Sequence, residues 1–250
     1  MLDKIDLKDI EKIALKAGQE VIEIYNKDFK VEYKDDKSPL TIADLKANDI
    51  ICQSLISLYP NIPILSEENK KIEYNDRKDW EYYWCIDPID GTKEFIKKNG
   101  DFTINIALIY KNSPILGVVY APVLKDMYSA KKDNGAFKNG VKLPIKRDDN
   151  KLVVVASKSH LSPETEEYIN SLELNGRELI KISKGSSLKL CMVAEGVADI
   201  YPRLAPTMEW DTTAADAIVR EAGKMCYDFE LDTPMVYNKE NLLNPWFVVR

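Results

Sequence analysis

The sequence predicts an α+β / α/β protein built as two lobes, 1–147 and 148–250. Two observations set this class. Over the first lobe, two helical patterns precede a run of period-two strands, the order expected of an α+β unit. After the polar break Lys146-Arg147-Asp148-Asp149-Asn150-Lys151, strand and helix patterns alternate, as in a mostly parallel or mixed sheet with helices on its faces. A third observation locates the chemistry: the apolar run Trp84-Cys85-Ile86 ends abruptly in Asp87-Pro88-Ile89-Asp90-Gly91-Thr92. With 250 residues, 45% of them hydrophobic and only 10 Gly and 12 Pro, the chain can bury a substantial core.

Leu7, Ile10, Ile13, Ala14, Ala17, Val21, Ile24 and Tyr25 recur at spacings of three and four, which predicts an amphipathic helix over 6–25. Alternation over 29–33 predicts a strand, broken by Asp35-Asp36-Lys37-Ser38-Pro39. Thr41-Ile42-Ala43-Asp44 has the spacing of a capping box, with Thr41 as N-cap of a second helix that Pro60 and Pro63 terminate. A short strand over 62–65 leads into Ser66-Glu67-Glu68. Beyond the acidic motif, 102–110 and 115–121 form a hairpin, and 126–130 and 135–143 continue the antiparallel pattern through Asn-Gly turns. In the second lobe, strands are expected at 152–156, 179–182 and 198–201, with helices at 163–172, 187–194 and 212–222, the last followed by Gly223.

Composition narrows the chemistry. No apolar run approaches the roughly 18 residues of a membrane-spanning helix, and Met1-Leu2-Asp3-Lys4-Ile5-Asp6 lacks a secretory apolar segment, so a cytoplasmic protein is expected. Cys52, Cys85, Cys191 and Cys226 are widely separated among apolar neighbours, as buried reduced thiols are. A single histidine excludes a histidine-rich metal site, leaving oxygen ligands and therefore Mg²⁺ or Mn²⁺. A net charge of −6 argues against a nucleic-acid polymer as partner.

In the acidic motif, Pro88 restricts Asp87 to extended backbone and Gly91 permits a φ other residues avoid, so both carboxylates can sit on one rigid turn. The N–H groups of Gly91, Thr92 and Lys93 could open a helix and bind an anion. Carboxylates for a hard cation beside donors for a phosphate suggest metal-assisted phosphate chemistry, although a solvated Pro/Gly turn reads the same locally. The aromatics Trp80, Tyr82, Tyr83 and Trp84 read as core packing before base stacking.

Four separated stretches now combine: Thr41-Ile42-Ala43-Asp44, Ser66-Glu67-Glu68, Asp87-Pro88-Ile89-Asp90-Gly91-Thr92 and Trp210-Asp211. In order and spacing they resemble the inositol monophosphatase-like family of Mg²⁺-dependent, lithium-sensitive phosphatases, whose fold is a layered α/β/α/β/α sandwich. Within it, Asp90-Gly91-Thr92-Lys93-Glu94-Phe95, the run 102–108, Gly185-Ser186-Ser187-Leu188-Lys189 and Tyr201-Pro202-Arg203 resemble the bacterial CysQ-type 3′(2′),5′-bisphosphate nucleotidases. The departures are Ser66 where many family members have Gly, which matches the CysQ-like branch, Thr212-Thr213 after Asp211, where small residues are commoner, and Gly223-Lys224 for a usual Gly-Gly.

The resemblance implies that Glu67, Asp87, Asp90, Asp211 and the carbonyl of Ile89 ligate two or three Mg²⁺ ions, with most ligands in the first lobe. It implies that Asp44 and Thr92 orient and deprotonate the attacking water, and that Gly91 and Thr92 N–H groups hold phosphate oxygens. His160, Ser186, Lys189 and Arg203 match positions that contact the nucleotide, Lys189 and Arg203 supplying charge for a second phosphate. Local readings stand beside these: Asp44 as a capping residue, Asp211 as N-cap of the next helix, Lys189 on a solvated helix face, Arg203 on a loop surface, and His160 as an ordinary loop residue. The implied substrate is adenosine 3′,5′-bisphosphate, with 3′-phosphoadenylyl sulfate as a second one, in clearing a by-product of sulfate assimilation. An inositol or sugar phosphate, and silent anion binding, are the competing readings. The resemblance extends the expected cytoplasmic setting to the inner face of a membrane, although no amphipathic anchor is evident in the sequence. Monomer and homodimer are both left open.

Overall fold

A computed structural model describes residues 1–34, 39–145, 147, 150–157 and 161–250. The elements run α1 (Leu7–Tyr25), β1 (Val31–Tyr33), β2 (Pro39–Thr41), α2 (Ile42–Leu58), β3 (Ile64–Ser66), α3 (Tyr74–Arg77), β4 (Tyr82–Asp90) and α4 (Thr92–Ile96). There follow β5 (Thr103–Tyr110), β6 (Ser113–Ala121), β7 (Asp126–Lys131), β8 (Gly135–Lys138), β9 (Val141–Lys142), β10 (Lys151–Ser157) and α5 (Pro163–Ser171). The chain closes with β11 (Glu178–Lys184), α6 (Leu188–Glu195), β12 (Tyr201–Arg203), α7 (Thr213–Glu221), β13 (Cys226–Asp228) and β14 (Phe247–Val249).

The alternating side-chain directions of β4 build the layers. Trp84 and Ile86 join the core under α1 and α2, while Tyr83 and Cys85, pointing the other way, join the core under α6 and α7. Between these cores lies a seven-stranded sheet ordered β3-β4-β5-β6-β7-β8-β9, antiparallel except for β3 on β4. Beyond α6 and α7 lie the parallel pair β10–β11 and the antiparallel sheet β12-β14-β13, and Ile169 of α5 packs outside against Val154 and Ala156. The order is therefore α/β/α/β/α. The aromatic run belongs to packing: Trp84 meets Tyr59, Tyr83 meets Trp80 and Tyr82 meets Tyr110. All four cysteines are buried and free. Among the described residues, no helix is long and apolar enough to cross a membrane.

Several expectations are corrected. Of the two arrangements expected for the second lobe, the mixed one is found: among its described strands, β10 and β11 pair in parallel and β12, β14 and β13 antiparallel. The strand expected at 198–201 begins at Tyr201, and β13 and β14 were not anticipated, because three residues are too few to show a period. The strand expected at 29–33 shortens to β1, paired with Pro39–Thr41 where a break was expected. Residues 35–38 of that break, Lys146, Asp148 and Asp149 of the lobe boundary, and His160 lie outside the described residues.

Candidate active site

The acids reach one place because strand ends converge there. β4 pairs with β5 as Asp87↔Asn105 and Asp90↔Thr103, with a shift between them that marks a bulge, where Pro88 has no N–H to give to the ladder. Asp87 is buried, and its Oδ1 accepts from Ile89 N at 3.0 Å. Glu67 follows β3, tied by its N–H to Ile86 O. Asp211 closes a short 3₁₀ turn, and its Oδ2 accepts from Met208 N at 2.8 Å. The N-cap of α7 is Thr212, so the capping alternative for Asp211 is corrected. One carboxylate oxygen from each of Glu67, Asp87 and Asp211 lies within 4.8 Å of the others.

Asp90 stands at the rim of this set and accepts from Ser187 N. Burial, then Lys189 working the other way, leaves its carboxyl at about 6. Burial and then neighbouring acids push Asp87 and Asp211 well above the ordinary carboxylate range. Three buried or half-buried oxygen ligands with mutual repulsion are the donor set a hard divalent cation neutralises, so the residues present fit the metal the sequence implied. A cation does approach the cluster from an unexpected direction: Lys34, just after β1, donates to Glu67 Oε1 at 2.8 Å and to Glu68 Oε1 at 2.6 Å.

Asp44 serves its two readings with different oxygens. Oδ2 accepts from Thr41 N at 2.8 Å and from Thr41 Oγ1 at 2.7 Å, completing the capping box of α2. Oδ1 faces Thr92 Oγ1 at 3.2 Å, and that hydroxyl also lies 3.2 Å from Ile89 O. Gly91 makes this approach with φ +91°, in the left-handed region open to glycine.

Glu67, Asp87, Asp90, Thr92, Ser186, Lys189 and Arg203 all line one cleft of about 270 Å³. Ser186 takes φ +50°. Lys189 does not lie on a solvated face: it is buried, its Nζ donates to Ser186 O and sits 5.4 Å above the Tyr201 ring. Burial lowers that lysine to about 8, with Asp90 opposing the shift. Arg203 ends β12 and donates to Pro206 O at 3.0 Å. The sequence reading missed Lys34, Thr103, Asn105 and Ser187. Thr103, Asn105 and Ser187 lie inside stretches that carry the family resemblance, while Lys34 carries no local signal.

A pH dependence follows. A carboxyl raised in the folded state favours folding below its unfolded value, near 4, and that contribution is lost as pH rises through the folded value, about 6 for Asp90 and higher for Asp87 and Asp211. Metal binding needs the ionised forms. The rise in Tm on adding Mg²⁺ is therefore expected to be larger at pH 8 than at pH 5.5, measured by thermal unfolding with Mg²⁺ and with chelator. An equal rise at both would remove these carboxylates from the metal site.

Clustered carboxylates at strand ends, a hydroxyl–carboxylate pair and a glycine-opened turn define the class of metal-assisted phosphate-ester hydrolases. The chain belongs to the inositol monophosphatase family, whose family model matches residues 2–245. It is 45% identical over 248 residues to the 3′(2′),5′-bisphosphate nucleotidase CysQ of Salmonella typhimurium, covering 97% of this chain and 98% of the relative. The CysQ of Haemophilus influenzae is 38% identical, with 97% and 91% covered. Among solved structures, CysQ from Bacteroides thetaiotaomicron superposes with a TM-score of 0.87 at 44% identity, covering 98% of this chain and 96% of that one. The IMPase of Thermotoga maritima superposes at 0.77 with 26% identity, covering 96% and 89%.

Proposed function

We infer that the protein is a metal-dependent 3′(2′),5′-bisphosphate nucleotidase that hydrolyses adenosine 3′,5′-bisphosphate to AMP and phosphate, and also accepts 3′-phosphoadenylyl sulfate. The observation that carries this is one cleft lined by the acids, Thr92 and two basic side chains, in a chain so similar to enzymes of that name.

Glu67, Asp87, Asp90, Asp211 and the Ile89 carbonyl would hold the Mg²⁺ ions, two or three of them, with Mn²⁺ as substitute. Bound there, these cations would supply an acidified water and neutralise charge on the leaving oxygen. The chain's own groups do the rest. Thr92 Oγ1 accepts a proton from the attacking water and passes its own to Asp44 Oδ1, 3.2 Å away. Gly91 and Thr92 N–H groups hold the phosphate being removed. Lys189, buried near Asp90, balances charge there and fixes Ser186 O, while Arg203 in the same cleft takes the remaining 5′-phosphate. Lithium sensitivity, a role in sulfur metabolism, a cytoplasmic setting and two lobes, 1–147 and 148–250, closing on one site belong to the same reading.

Phosphate release from adenosine 3′,5′-bisphosphate and from inositol 1-phosphate, side by side with Mg²⁺ and after chelation, tests it. The nucleotide should be strongly preferred and chelation should stop both reactions. Arg203→Ala should raise KM for the nucleotide about 10- to 100-fold, the worth of a charge-assisted hydrogen bond, and leave inositol 1-phosphate nearly unchanged. A preference for inositol 1-phosphate would keep the metal site and overturn the nucleotide reading. Binding without turnover of either would favour a silent anion-binding protein.

A further inference from the structure

The turn at residues 185–187 is held in place more tightly than its length requires. Ser186 carries a side chain in left-handed backbone, a conformation that persists only where its surroundings impose it. A Cβ on Gly185 would meet Asp101 Cβ and O at 2.8 Å and Glu94 Cγ at 2.9 Å, so the backbone lies hard against α4 and the loop after it. Lys189 Nζ holds Ser186 O from the following helix. At the front, Ser187 N donates to Asp90.

Behind the turn stands a polar chain that the catalytic reading leaves unused. Ser187 Oγ donates to Asn105 Oδ1 at 2.9 Å, and Thr103 Oγ1 lies 2.8 Å from the same Ser187 oxygen. Since the Ser187 proton goes to Asn105, Thr103 is the donor, and the hydroxyls run in one direction. All three residues are buried. Thr103 and Asn105 sit directly opposite Asp90 and Asp87 in the ladder, so one strand braces both carboxylates and the turn. Asn105 Nδ2 has no hydrogen-bond partner among the described residues, a destabilising arrangement in a core that an apolar residue would avoid. What Asn105 supplies in return is the acceptor that aims Ser187.

We propose that Ser187 is a positioning residue that ties Asp90 to this strained turn through its amide, held in aim by its hydroxyl, so that cation binding at the acidic cluster and nucleotide binding at the turn strengthen one another. A cation that fixes Asp90 fixes the acceptor of the Ser187 amide, and so the turn on which Ser186 and Ser187 face the cleft. By linkage, a nucleotide held at that turn tightens the cation. Without the hydroxyl, the turn can relax away from Asp90 and the two events separate. This inference rests on the nucleotidase reading.

Calorimetric titration of Mn²⁺ into the metal-free protein, alone, with saturating AMP and with saturating inorganic phosphate, measures the coupling directly. In the unaltered protein AMP should tighten Mn²⁺ about 10-fold, within the usual range of coupling between sites. Ser187→Ala should reduce that factor to about 2 or less while leaving the effect of phosphate, held by the Gly91 and Thr92 N–H groups, unchanged; Ser187→Thr should restore it. If Ser187→Ala does not fold, Thr103→Val reads the same coupling and should weaken it. A Ser187→Ala protein that keeps the full AMP effect overturns the proposal. So does an unaltered protein in which AMP leaves Mn²⁺ affinity unmoved, and phosphate release from the bisphosphate then tells separately whether the nucleotidase reading survives.

Discussion

Asp90→Asn is expected to lower Mg²⁺-dependent kcat/KM by about 10³-fold or more, since losing even an outer partner of a metal ligand costs about 10- to 100-fold. Asparagine keeps the shape and can still accept from Ser187 N, so the substitution removes charge and little else. The same change should act oppositely on the metal-free fold. Asp90 adds to the repulsion on Asp87 and Asp211, and its removal should raise the Tm measured in chelator. A protein that gains metal-free stability while losing turnover would show that the cluster is built for a cation. Full Mg²⁺-dependent turnover in the variant would take Asp90 out of the ligand set.

Thr92→Ala should lower kcat by about 10²- to 10⁴-fold, the usual worth of a positioned proton-transfer group, with KM nearly unchanged. Thr92 is the better probe of this pair because Asp44 also caps α2: losing that carboxylate would cost helix stability of about 1 kcal/mol and confuse the reading. In Thr92→Ala the contacts of Asp44 with Thr41 are untouched, so unfolding should move little. Thr92→Ser keeps the oxygen and should recover most of the rate. If Thr92→Ala kept its rate, proton transfer would have to leave the water by another route.

Much of the frame was legible because it depends on short-range order. The spacing of Ile10, Ile13, Ala14, Ala17 and Val21 marks the buried face of α1, and the unbroken apolar run Trp84-Cys85-Ile86 marks a strand covered on both sides. The Thr41 capping box is a four-residue device, and it forms as read. Strands as short as β13 and β14 were not legible: three residues carry no period, and pairing with distant neighbours is what makes them strands.

For the site, the sequence by itself determined which groups are available: acids at 67, 87, 90 and 211, a hydroxyl at 92 and its carboxylate at 44, with one histidine in the chain. Tertiary structure alone decided what those groups meet. Lys34 reaches Glu67 only because the β1–β2 hairpin carries it there. Lys189 is buried instead of solvated because α6 is enclosed between two sheets, and Ser187 finds Asp90 and Asn105 across separations of 97 and 82 residues. Periodicity reports which way a side chain faces within its own element. Which partner waits on that side is set by sheet register and layer packing, which are properties of the whole chain.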